Sequence, residues 1–135
     1  MPNDAMARTW LRAAEENLDA SHALRRDQRY RSAVSRAYYA AHHAVHAALL
    51  ARGQKSPERG NWRHSELPGE LRASLRQSSP SNPQWADYFH SSIQNAYSLR
   101  IQADYKPAND VGDEHARESH RVATCLVKYA LEVVQ

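Results

Sequence analysis

Residues 31–52 read RSAVSRAYYAAHHAVHAALLAR, a stretch without glycine or proline, rich in alanine and closed by Gly53. Alanine is the strongest helix former, and glycine is the commonest residue just past a helix end. The stretch therefore predicts a long helix. At about 100° per residue, Val34, Tyr38, Ala41, Val45, Ala48 and Leu49 fall in one stripe. Arg36, Ala40, His43, Ala47 and Leu50 fall in the opposite one. A surface helix needs only one apolar stripe. Two of them place this helix at the centre of a bundle, or leave its second side for a partner subunit to cover.

The flanking sequence supplies the other helices. Residues 5–26 place Met6, Trp10, Ala13, Leu18 and Leu24 near helical spacing, with Asp4 as the expected cap. After a loop at 53–62, Ser65 is positioned to cap a shorter helix reaching about Gln77, with Pro68 in its first turn. The run Ser78-Ser79-Pro80-Ser81-Asn82-Pro83 reads as a linker. Helical spacing resumes over 84–105 and again after Asp113, the expected cap of the last helix. The only strand signal is the tail Val133-Val134. The prediction is all-α: an antiparallel up-and-down bundle of four to five helices.

Composition sets the outer limits. A chain of 135 residues is the size of one domain, here expected to be 1–135. Four Gly and six Pro are too few for the turns of a barrel or sandwich. One cysteine, Cys125, excludes an internal disulfide framework and a Cys-based zinc site. No apolar run approaches the ~18 residues of a membrane span, and the N-terminus lacks a signal-peptide pattern, so a cytoplasmic protein is expected. The net charge is +3, and 15 of the 18 basic residues are Arg, the side chain that meets phosphate in bidentate fashion. Residues 1–76 carry +5 and residues 77–135 carry −2, with Arg25, Arg26, Arg29 and Arg31 clustered. That cluster reads either as a solvated junction or as a phosphate-facing patch.

Arg36 and His43 lie two turns apart on the second stripe. Either Arg36 pairs with a carboxylate such as Asp104 and His43 is satisfied in the core, or the two line a site for a phosphodiester. His42 and His46 have the i, i+4 spacing of metal ligands, yet no glutamate follows His42 and no third ligand is near, so no metal and no cofactor are expected. His115 and His120 read as a solvated face. Arg100 and Asp104 are also i, i+4 and should pair. They continue the stripe of Ile93 and Tyr97, which points to partial burial.

The stretch Ser35–Ala44, its Ala/Leu continuation to Gly53, the step His64-Ser65 and the segment Leu99-Arg100-Ile101-Gln102-Ala103-Asp104-Tyr105 together resemble the HEPN family of small helical domains. The resemblance covers about residues 8–132. It implies a bundle that commonly forms homodimers and is often paired with a minimal nucleotidyltransferase in a toxin–antitoxin couple. Many members are metal-independent ribonucleases with an R-x(4–6)-H motif. Histidine moves a proton near neutral pH while arginine neutralises charge developing on phosphate. Here the late motif reads Arg100-x4-Tyr105, with tyrosine in the histidine position. An R-x6-H occurs instead at Arg36 and His43, and Arg59-x4-His64 matches the spacing within a loop.

Two functional readings follow. In the first, the chain engages RNA or nucleotide and cleaves RNA. His43, Arg36, Arg100 and Tyr105 are then catalytic candidates, Arg36, Tyr39, Arg100 and His64 contact the ligand, and Asp104 and Tyr38 support them. In the second, the chain is a non-catalytic helical module that binds a nucleotidyltransferase. A plain structural bundle is the third. The stripe assignment itself makes a prediction: Tyr38→Ala costs ~3–5 kcal/mol in chemical denaturation, the range for a buried aromatic, and a loss below about 1 kcal/mol would undo it.

Overall fold

The computed structural model describes residues 4–57, 61–78, 81 and 83–134. They form five helices: α1 (Asp4–Arg26), α2 (Tyr30–Ala51), α3 (Leu67–Ser78), α4 (Pro83–Tyr105) and α5 (Asp113–Val133). No strand occurs among the described residues. Val133 completes α5, and Val134 lies in the core. Arg59, Ser79, Pro80, Asn82 and the side chain of Asp4 lie outside the described residues.

The architecture is an all-α bundle with α2 at its centre, touching each of the other four helices. Register follows from the contacts. Trp10 stacks on His46, Asn17 meets Arg36 and Ser21 Oγ donates to the Ala33 carbonyl, so residue number falls on α1 as it rises on α2. That is an antiparallel pair. Arg100 with Tyr39 and Asp104 with Ser35 fix α4 antiparallel to α2 in the same way.

Close approach to α2 depends on its small residues. Ala33, Ala37, Ala40, Ala44 and Ala47 are fully buried, and Leu50 nearly so. The apolar positions of the second stripe are thus covered within this chain, which corrects the expectation that a partner subunit could seat on them: Ala40, Ala47 and Leu50 have no surface left to offer. Residues of α1 and α5, among them Leu11, Ala14, Ala123 and Leu126, share the same core.

The helix ends show what sets the boundaries. Gly53, at φ +87°, follows α2; its N–H bonds to the Leu50 carbonyl and that of Gln54 to the Leu49 carbonyl. This is the doubly bonded C-terminal cap that favours glycine. α1 ends in the same arrangement, Gln28 N–H to Arg25 and Arg29 N–H to Leu24, but with Gln28 at φ +61°. The last helix begins differently from expectation. Gly112, not Asp113, is its cap; the Gly112 N–H donates to His115 Nδ1, while Asp113 pairs with Arg25 and Arg117. α3 starts at Leu67, after the Arg63 N–H has found Glu66 Oε1, so Ser65 precedes the helix by more than a cap.

Gln28 carries backbone strain that a side chain at positive φ imposes. Gln28→Gly is expected to raise the unfolding free energy by about 0.5–1 kcal/mol, once glycine's greater unfolded-state freedom is set against the relief. Urea denaturation measures it, and an unchanged or lowered midpoint would show that the turn tolerates Gln28 without cost.

Candidate functional site

α2, α4 and the loop entering α3 bring a group of polar and aromatic side chains together. Arg100, on the last turns of α4, has a side chain only 12% exposed. Its Nε lies 2.9 Å from Asp104 Oδ2, and its Nη2 donates to the Tyr39 hydroxyl at 2.7 Å. No bond from Nη1 occurs among the described residues. The guanidinium stands 5.2 Å from the Tyr39 ring, 5.5 Å from Tyr105 and 6.0 Å from Tyr38, within the range of cation–π attraction. Burial works against its charge, but Tyr39, Asp104 and Tyr105 outweigh it and hold the group above its ordinary value. Ser35 Oγ donates to Asp104 at 3.3 Å and steadies that carboxylate from α2.

Beside Arg100 stands His64, from the loop before α3. Its Nδ1 is 2.5 Å from the Tyr38 hydroxyl, and its ring stacks on Tyr97 at 5.3 Å. Burial and then the charge of Arg100 push its pKa down, so the ring is neutral near pH 7. Burial, with Tyr97, raises the Tyr38 phenol, which therefore keeps its proton. In the tautomer whose Nδ1–H donates to the Tyr38 oxygen, the free lone pair of the neutral ring lies on Nε2. A neutral imidazole held on one nitrogen is oriented for proton transfer through the other.

Deeper on α2 the histidines have structural tasks. His46 Nε2 accepts from the Trp62 N–H at 3.2 Å and its Nδ1 donates to the His42 carbonyl at 3.0 Å. Both nitrogens are engaged only if the ring is neutral, and the pair of bonds pins the loop at Trp62. His42, 6% exposed, sits 4.5 Å from the His46 ring and 4.6 Å from His64, with neither nitrogen bonded among the described residues. Burial, with the neighbouring histidines and Arg100, lowers His42 to about 2; burial and the adjacent His43 and His64 lower His46 to about 4, against the bond to the His42 carbonyl. No cluster of potential metal ligands occurs among the described residues.

The structure therefore divides the sequence candidates. It brings together Arg100, Tyr39, Tyr38, His64 and Asp104, with Tyr105 against the guanidinium though 66% exposed. Arg36 stands at the margin of this group: it is exposed, bonds Asn17 Oδ1 at 3.3 Å and lines a cleft with Arg31, Ser35 and Asp104, while Asp104 itself pairs with Arg100 instead of the expected Arg36. His43 is half-buried, edge-on to Trp10 at 5.1 Å and 6.1 Å from Tyr39. Burial lowers its pKa. On α2 it is His42, not His43, that lies against His64. Tyr97 joins the group although the sequence marked it only as a core residue; its spacing of three before Arg100 was the available signal. Within the basic cluster, Arg25 is taken by Asp113, and Arg31 donates to the carbonyls of Gln102, Ala103, Lys106, Pro107 and Asn109. His115 caps α5 and His120 packs on His22 at 5.7 Å, so neither belongs to a merely solvated face.

Comparison with known families returns the HEPN domain, matched over residues 7–135, and the chain belongs to that family. No curated protein matches it. Membership supports a nucleotide- or RNA-related role in general, and domains of this family often form dimers. No helix among the described residues is long and apolar enough to cross a membrane.

Neutral burial of His42 and His46 has a consequence for pH. In the unfolded chain both bind protons near pH 6.5, whereas in the fold they resist protonation down to about 2 and about 4. Their contribution is whole above pH 6.5 and is drawn down as pH falls, because the unfolded state then takes up protons that the folded state refuses. Each group contributes a slope of about 1.4 kcal/mol per pH unit. Stability is expected to fall steeply from pH 6.5 to 4.5, above the carboxylate range, and His42→Leu to flatten that fall. A flat profile over this window would place the two rings in contact with water.

Proposed function

We propose that this chain engages the phosphate of RNA or nucleotide at Arg100, as one member of a toxin–antitoxin type pair. The observation that carries the reading is the Arg100 guanidinium, fixed by Asp104 and Tyr39 with Nη1 unspent, beside the neutral imidazole of His64. A fixed, partly desolvated guanidinium interacts with phosphate more strongly than one moving freely in water. Tyr39 and Arg100 then contact the ligand, Asp104 and Tyr38 hold them, and His64 supplies the titratable nitrogen.

The same parts suit metal-independent RNA cleavage. With Nδ1–H on Tyr38, His64 Nε2 takes the 2′-hydroxyl proton as that oxygen attacks phosphorus. The bond from phosphorus to the 5′-oxygen breaks, and the imidazolium returns the proton to the departing 5′-oxygen, leaving a 2′,3′-cyclic phosphate. Arg100 neutralises the charge that develops on the phosphoryl oxygens. Tyr105 reaches the guanidinium from the surface, 66% exposed, whereas imidazole is the side chain that exchanges a proton near neutral pH, so His64 rather than Tyr105 is assigned the proton. Arg36 and His43 are left with supporting contacts on α1 instead of a catalytic role.

A second reading rests on one observation: the late motif carries Tyr105, exposed, where the nuclease pattern has histidine. In that reading the chain is a non-catalytic module that binds a small nucleotidyltransferase, and Arg100 holds nucleotide without cleaving.

Labelled single-stranded RNA incubated with the protein in chelator decides between the two. The cleavage reading expects product from the wild type, a loss of 100-fold or more in Arg100→Ala (about 2.7 kcal/mol at 1.36 kcal/mol per decade) and a comparable loss in His64→Ala. Intact RNA at high protein concentration, together with retained binding that Arg100→Ala abolishes, selects the module. If neither binding nor cleavage depends on Arg100, both readings fail.

A further inference from the structure

Next to His64, between the start of α3 and the outer face of α4, lies an open cavity of about 440 Å³ lined by His64, Ser65, Pro68, Gln94, Tyr97 and Ser98. Its volume is at the small end for ligand sites, suited to one nucleoside rather than a run of several. The wall carries two ring systems, His64 and Tyr97, stacked on one another at 23° between planes, with the Pro68 ring beside them. Around them stand an amide, Gln94, and two hydroxyls, Ser65 and Ser98. None of the three side chains has a hydrogen-bond partner among the described residues, and all three are exposed. The cavity adjoins the proposed phosphate site directly: His64 lines it while its Nδ1 meets Tyr38, whose ring is 6.0 Å from the Arg100 guanidinium.

Flat aromatic walls with unspent donors and acceptors at one edge are the means by which proteins hold an unpaired base. We infer that this cavity is a nucleobase subsite, in which a single unstacked base lies against Tyr97 and Pro68 while Gln94 and Ser98 meet its hydrogen-bonding edge. The inference rests on the reading that Arg100 holds the adjoining phosphate. It adds the substrate class: a single-stranded nucleotide whose base is splayed out, since a base stacked in a duplex cannot enter. Glutamine presents a donor and an acceptor side by side, the pattern that pairs with adenine. Adenine is therefore the base assigned to the site. The tyrosine hydroxyl of Tyr97 has no bond among the described residues and adds a second polar contact.

Three probes separate the base from the phosphate: adenosine 5′-monophosphate, adenosine and ribose 5-phosphate, each titrated into the isotope-labelled protein and followed by amide chemical shifts. The monophosphate should bind at least tenfold more tightly than ribose 5-phosphate, and adenosine should shift the amides of Gln94, Tyr97 and Ser98. Gln94→Ala, at an exposed position that the fold does not need, should weaken the monophosphate at least fivefold and leave ribose 5-phosphate unchanged. Tyr97→Leu should weaken the monophosphate as well. Equal binding of monophosphate and ribose 5-phosphate, both lost in Arg100→Ala, would remove the subsite and keep the phosphate reading. Adenosine binding that Gln94→Ala weakens, with no response to ribose 5-phosphate, would keep the subsite and remove the phosphate reading. No response to adenosine and the monophosphate alike overturns the inference.

Discussion

The close approach of α1, α3, α4 and α5 to α2 is the constraint on which the rest of the molecule depends. It is set by the alanines at positions 33, 37, 40, 44 and 47, which let neighbouring backbones come near without a void. A helix enclosed in this way has few directions in which a polar side chain can reach water. Yet α2 carries three histidines and two tyrosines within nine residues, Tyr38 to His46. These groups must satisfy one another or be satisfied by the loops and helices around them, because an unpaired polar group in the interior costs free energy.

The arrangement of the candidate site follows from that requirement. Tyr38 reaches His64, His46 holds the Trp62 N–H, and Tyr39 takes the Arg100 guanidinium. Each bond ties α2 to an element that arrives later in the chain, so the same contacts that settle buried polar groups also locate the loop before α3 and the end of α4. His42 is the exception. Its two nitrogens are unbonded among the described residues, and it is the group with the most depressed affinity for protons. The histidines around it stay neutral for the same physical reason, so the full positive charge in this part of the protein is that of Arg100.

Much of this was legible before any coordinates. The alanine-rich run, Gly53 and the proline at 83 mark helix ends that the structure places within about two residues of where local chemistry puts them. The i, i+4 spacing of Arg100 and Asp104 announced their pairing. What escaped the sequence depended on tertiary contact. Gln28 in a left-handed turn has no local signature, since glycine is the residue that normally signals it. His42 and His43 differ by one step of helix phase, about 100°, and the pattern of a helix buried on both sides gives no way to order them. Arg36 looked enclosed because its stripe is apolar, but that stripe meets solvent at the level of Asn17. The cavity beside Tyr97 could not be read at all, because its lining comes from a loop, the first turn of α3 and the middle of α4.

Arg31 is instructive in another way. One guanidinium, rooted in the first turn of α2, gathers the carbonyls of five residues between Gln102 and Asn109. Five acceptors share two nitrogens, so the connection is redundant from the side of the carbonyls: any one of them can be lost and the others still hold. From the side of the arginine there is no redundancy. A lysine, with its single ammonium, lacks the fork that reaches several carbonyls at once. The end of α4, held to α2 also through Ser35 and Tyr39, thus takes five of its bonds from one side chain that lies about seventy residues earlier in the chain.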